Sequence, residues 1–147
     1  MEIDPVIYRL GLAFHPEKPY QSKRVHIFLD DARSFFKKSK KKYDLISFGL
    51  LDSVTLGSSY ANTRLDHYVY TLESFYEARR LLKDDGVMTV VFEVKKPWIG
   101  ARIKGLLKET FWEAPLVLKI DSLNRPFGLG GIMFVAESLA FRAASNC

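Results

Sequence analysis

The chain has a single cysteine among 147 residues, and it is the last one, Cys147. An internal disulfide and a cysteine metal cluster are therefore excluded, and neither redox chemistry nor a thiol nucleophile held in a packed site is expected. No apolar run approaches the roughly 18 to 20 residues needed to span a bilayer, and the N-terminus does not show a charged segment followed by an apolar one. These absences predict a cytoplasmic, globular chain without a membrane span. Histidine is scarce: His15, His26 and His67 lie far apart, none paired at the i, i+4 or short-loop spacing of a metal site, so no metal is expected. His26 reads as a strand side chain, and His67 is a weak candidate for a base. A Gly-x-Ser-x-Gly elbow and a phosphate-binding lysine loop are both missing. The first glycine is Gly11, so the glycine-rich strand-to-helix turn that normally opens a dinucleotide-binding unit does not precede it.

What is present is ample for a core: 48% of residues are hydrophobic and 14% aromatic. The formal net charge is +5, and Lys37, Lys38, Lys40, Lys41 and Lys42 form the one dense basic run. Lysines at the end of a helix favour the negative pole of its dipole and stay solvated. No aromatic residue alternates with them to stack bases, so a nucleic-acid partner is not expected.

Pro5 and the spacing of Val6, Ile7 and Leu10 predict a short helix over residues 5–14. A loop with Pro16 and Pro19 follows, then a β-branched and aromatic strand over 24–29 and a helix over 32–38 capped by Asp31. Residues 43–48 read as a strand that ends at Gly49. From there to about Tyr70 no period holds, which predicts a functional lid or an insertion. Residues 71–82 read as an amphipathic helix capped by Thr71, 83–86 as a tight turn, 87–92 as a central strand and 98–111 as another helix. The last two strands, 116–120 and 132–136, are joined by about 11 residues with no helical pattern, so they should pair antiparallel. Tyr60, Tyr68, Tyr70 and Trp98 could line a pocket for an apolar or cationic ligand, although core or lid packing is the plainer reading. Alternating strands and helices ending in an antiparallel pair predict a doubly wound, mostly parallel Rossmann-like α/β sheet. The expected domain covers residues 1–138, and 139–147 form a tail.

Two acidic sites stand out: Glu2 and Asp4 at what reads as one strand end, and Asp30 and Asp31 at the next. In open parallel sheets ligands sit beyond the carboxyl ends of the strands, so acids at successive ends face one crevice and can hold ribose hydroxyls and a base amine.

The order of Glu2-Ile3-Asp4-Pro5-Val6-Ile7, Phe14-His15-Pro16, Arg24-Val25-His26-Ile27, Asp31-Ala32-Arg33-Ser34-Phe35-Phe36, Tyr43-Asp44-Leu45-Ile46, Tyr70-Thr71-Leu72-Glu73-Ser74-Phe75-Tyr76 and Leu81-Leu82-Lys83-Asp84-Asp85-Gly86-Val87 resembles the spermidine synthase branch of the class I S-adenosylmethionine-dependent methyltransferases. The likeness runs well over residues 1–93 and loosely beyond. It implies that Glu2 holds the ribose hydroxyls of a nucleoside and that Asp31, with the Ala32 backbone, holds the adenine amine. The ligand it implies is S-adenosylmethionine, decarboxylated S-adenosylmethionine or methylthioadenosine.

The departures are as specific as the matches. Where the family carries an aspartate pair after its fourth strand, this chain has Gly49, with Asp52 matching the second member and Ser53 in place of the following proline. Glycine cannot accept a proton, so independent aminopropyl transfer is not expected, and Asp52 and His67 remain weak catalytic candidates. The family's first strand, glycine loop and first helix have no counterpart in the sequence. Either a longer protein supplies them, or the chain is a short relic that kept the scaffold. Three readings follow: a partial adenosyl-binding domain, a methyltransferase that needs a further segment or partner, and a non-enzymatic interaction module. Exposed sheet edges are expected to pair with a second copy.

Overall fold

The computed structural model describes residues 1–49, 68–92, 94, 96–120 and 131–137. The chain divides into two compact units, Met1–Ser39 and Lys40–Cys147.

In the first unit, helix α1 (Pro5–Phe14) begins where Asp4 Oδ1 accepts from the Val6 N–H at 2.7 Å and Pro5 occupies the first helical position. Gly11 on α1 lies against the Tyr20 ring so closely that a Cβ there would overlap it, and Tyr20 in turn meets Tyr8 edge-on at 5.5 Å. A short 3-10 turn, Pro19–Gln21, holds Tyr20 in place. Helix α2 (Ala32–Lys38) carries the buried Phe36, and Phe35 packs on Phe28 with ring centroids 4.9 Å apart.

The strand expected over residues 24–29 is not formed as a ladder. The chain there is extended, but its pairing reduces to one parallel bridge, Leu29 with Glu2. The partner is too short, because Asp4 already caps a helix and Pro5 has no N–H to donate. β propensity becomes a strand only where a neighbour supplies the second half of each hydrogen bond.

The second unit holds strands β1 (Tyr43–Phe48), β2 (Leu82–Phe92), β3 (Leu116–Ile120) and β4 (Gly131–Glu137) in one sheet of order β1-β2-β4-β3. β1 and β2 run parallel, while β4 is antiparallel to both β2 and β3, so the expected reversed strand and antiparallel final pair are present. Helices α3 (Leu72–Arg80) and α4 (Pro97–Phe111) connect them. The register puts Phe48, Val90 and Phe134 in line on one sheet face, and their burial with Phe75, Ala78, Ile103, Leu107 and Phe111 of the helices forms the core. On the other face, Leu45 of β1 and Leu116 and Leu118 of β3 are exposed.

Residues 83–86 are a bulge inside β2 and not a turn between elements. Tyr43 pairs with Leu82, but Leu45 already pairs with Val87, so the extra residues loop out of the ladder. Gly86 is required there, because a Cβ would stand 3.0 Å from the backbone of Lys83 and from the Tyr43 carbonyl. Across the bulge Lys83 Nζ donates to Asp44 at 2.6 Å, which holds the Asp44 carboxyl below its ordinary range and raises the Lys83 ammonium above its own. Both groups are exposed, so the pair adds little to stability.

Long cations close the helix ends. Lys42 Nζ donates to the carbonyls of Arg80 and Leu82 at 2.7 and 3.1 Å, where α3 runs out of intrahelical partners. Arg79 does the same for α4: its Nη1 donates to the Thr110 carbonyl at 3.0 Å and its guanidinium lies 4.0 Å from the centre of the Trp112 ring. Trp112 itself ends α4 in the left-handed region, at φ 61°. Lys38 pairs with Asp30 at 3.4 Å and Lys41 lies over the Tyr43 ring, so three lysines of the basic run have assigned contacts near the ends of α2, α3 and β1.

Candidate functional site

The acids singled out in the sequence share the first unit, and the backbone brings their segments side by side. The Glu2 N–H donates to the Phe28 carbonyl at 3.1 Å and the Asp30 N–H to the Glu2 carbonyl at 3.2 Å, the two bonds of a parallel bridge. Glu2 therefore stands beside residues 28–30, and Asp31 follows directly. Each of these two segments turns into a helix immediately afterwards, α1 after Asp4 and α2 after Asp31.

The carboxylates already have work in the fold. Glu2 Oε1 accepts from the Ile3 and Asp4 N–H groups at 2.8 and 3.0 Å. Asp31 Oδ1 accepts from the Ser34 N–H at 2.9 Å, capping α2 as its position predicts. Asp30, which the sequence reading left without a role of its own, accepts from the Asp31 N–H through Oδ1 at 2.9 Å and meets Lys38 through Oδ2. The signal that could have found it was Lys38 two helical turns on, a spacing that lets a helix lysine reach back toward its N-terminus. In both Glu2 and Asp31 these bonds engage one carboxylate oxygen. Ala32 is the first residue of α2, where a backbone N–H has no carbonyl one turn back to donate to. Glu2, Asp31 and Ala32 are all partly exposed, so a ligand can reach them.

The second unit carries an aromatic cluster of its own. At the carboxyl end of β1 the Tyr70 hydroxyl donates to the Gly49 carbonyl at 3.1 Å, and its ring packs edge-on against Phe75 and Phe92. Tyr70 is buried, so it belongs to the core and does not line an open pocket. Tyr68 and Trp98 are exposed. Gly49 is exposed too, with no atom of the described residues within 4 Å of where a Cβ would stand, so packing among them does not demand glycine at this position. Asp52, Tyr60 and His67, and with them most of the expected lid, lie outside the described residues, as does the tail 139–147. Among the described residues no group of three or more His, Cys, Asp or Glu side chains could hold a metal ion, and no helix is long and apolar enough to cross a membrane.

Comparison with known proteins gives the family and the fold. The chain is 31% identical over 111 residues to polyamine aminopropyltransferase 2 of Aquifex aeolicus, a match covering 74% of this chain and 21% of that protein. It is 25% identical over 125 residues to the polyamine aminopropyltransferase of Buchnera aphidicola, covering 83% of this chain and 39% of that one. The chain thus spans well under half the length of these curated relatives. Among solved structures the fold is similar to spermidine synthase from Thermotoga maritima, with a TM-score of 0.66 at 17% identity over 93% of this chain and 43% of that one. It is equally similar to human methyltransferase-like protein 13 in complex with SAH, at a TM-score of 0.66 and 18% identity over 92% of this chain and 58% of that one. These neighbours establish the Rossmann-like methyltransferase fold of which the chain is a part. Residues 2–116 match the family model described as the spermine/spermidine synthase domain, and the chain belongs to that family.

Proposed function

We propose that this chain is the part of a spermidine synthase-like transferase domain that holds the adenosyl moiety of its ligand, with Glu2 taking the ribose hydroxyls and Asp31 and the Ala32 N–H taking the adenine. The observation that carries the reading is the parallel bridge between Glu2 and Leu29, which sets two carboxylate-bearing segments next to each other at the starts of α1 and α2. A carboxylate with a spare oxygen accepts from a diol or an exocyclic amine, and a first-turn N–H donates to a ring nitrogen. Two neighbours, one solved with SAH and one with the transition-state analogue AdoDATO, lend the same class of ligand as support. Calorimetry with methylthioadenosine and S-adenosylhomocysteine is expected to give weak, saturable heat. Glu2→Gln should weaken binding about ten-fold, the loss of one hydrogen bond to a charged group. No heat with any adenosyl ligand at millimolar concentration would end the proposal.

Aminopropyl transfer by this chain alone is not part of the proposal, since Gly49 supplies no proton acceptor, and methyl transfer would need a longer chain or a partner. A second copy is the proposed partner of the sheet edge. β3 is an edge strand with Leu116, Val117 and Leu118 exposed, which is a template for strand pairing. Light scattering is expected to show dimers that Val117→Pro reduces to monomers; a wild-type chain that stays monomeric at high concentration would refute the pairing.

A further inference from the structure

The chain has two tryptophans, and both are solvent-exposed at the two ends of one helix: Trp98 in the first turn of α4, 59% exposed, and Trp112 just past its last residue, 65% exposed. Fourteen residues of helical rise put their backbones about 21 Å apart. The core does not need either ring, because α4 buries Ile103, Leu107, Thr110 and Phe111 on its opposite side. Between the tryptophans the outer surface is low, with exposed Ala101 and with Gly105, where a Cβ would meet nothing of the described residues within 4 Å. The charges beside it are exposed Lys96, Arg102, Lys104 and Lys108, with Glu109 and Glu113 opposing them at the far end. Exposed amphipathic rings at both ends of a cationic surface, Trp112 with Arg79 stacked on it, suit a helix side that lies along an interface, rings in the headgroup layer and lysines on phosphate.

We propose that the outer face of α4 docks on an anionic lipid surface, lying on it without entering the bilayer core. The length and polarity of the helix fit that mode, since no helix among the described residues can cross a membrane. Single-stranded nucleic acid fits less well. A stacking platform places aromatic side chains at successive bases among the cations, whereas here the two tryptophan backbones stand about 21 Å apart, and the aromatic between them in the sequence, Phe111, is buried.

The two tryptophans make the test direct, because intrinsic emission reports this surface alone. The full 147-residue chain is mixed with vesicles of phosphatidylcholine containing about one-third phosphatidylserine, and with pure phosphatidylcholine vesicles. Co-sedimentation with the anionic vesicles and a blue shift of emission are expected, with neither on the neutral ones. The double variant Lys104→Glu/Lys108→Glu should bind at least about ten-fold more weakly, while Lys18→Glu/Lys23→Glu, with the same change in net charge elsewhere, should bind as the wild type does. Trp98→Phe should keep the far-ultraviolet circular dichroism and reduce the shift, leaving Trp112 as the remaining reporter. Equal losses in the two double variants, equal binding to neutral vesicles, or binding without any change in emission would overturn the proposal. So would retention on oligouridylate by a protein that ignores both kinds of vesicle.

Discussion

Phe75→Ala is expected to cost the second unit about 3 to 5 kcal/mol, enough to unfold a marginally stable domain at room temperature. Phe75 is 0% exposed and sits where three elements meet: its ring is 5.3 Å from Phe48 at the end of β1 and 6.5 Å from Tyr70 ahead of α3. Truncation removes the transfer free energy of the ring and leaves a cavity walled by other aromatics, which are too large to close over it without leaving their rotamers. Phe75→Leu keeps most of the volume and should cost about 1 kcal/mol. Urea unfolding followed by circular dichroism separates the two. An alanine variant as stable as the leucine one would mean that the aromatic cluster is not the organising core of this sheet.

Asp31 is expected to lose ligand binding and stability separately when the right substitutions are compared. Its Oδ1 caps α2 through the Ser34 N–H, so Asp31→Ala should lower stability by about 1 kcal/mol and weaken any adenosyl ligand as well. Asp31→Ser retains a cap acceptor of nearly equal quality but is neutral and has a single oxygen. Thermal unfolding of the serine variant should match the wild type, while its affinity for methylthioadenosine falls ten-fold or more. A serine variant that binds like the wild type would reduce Asp31 to a helix cap, and the adenine would have to be held by something else. Weak binding by the alanine variant alone would decide nothing, because a frayed α2 also displaces Ala32.

How far these features could be read from the amino-acid sequence depended on whether the signal was local. Helix α1 was legible to the residue, because Asp4 and Pro5 carry its start in their own side chains. The cap of α2 by Asp31 and of α3 by Thr71 followed from the same chemistry. The antiparallel pairing of β3 with β4 was legible from the length of their connection. Residues 24–29 were misread because β-branched and aromatic composition reports what a segment would do with a neighbour, and the neighbour here is one residue long. The bulge at 83–86 was misread as a turn because Asp-Asp-Gly signals both, and only the ladder on either side distinguishes them. At the candidate site the sequence assigned roles to Glu2 and Asp31 but none to Asp30, whose tie to Lys38 depends on how α2 leaves the bridge.

The first unit has one buried hydrophobic side chain among its described residues, Phe36, and the pairing that aligns Glu2 with residues 28–30 consists of two backbone bonds. Segments so thinly supported open at low free-energy cost and exchange their amide hydrogens early. In the proposed adenosyl-holding role, the competent conformation would then be populated only part of the time, and apparent affinity would fall by that fraction. Anything that stiffens residues 1–31 from outside, a preceding strand or a subunit laid along them, would tighten nucleoside capture without touching the nucleoside.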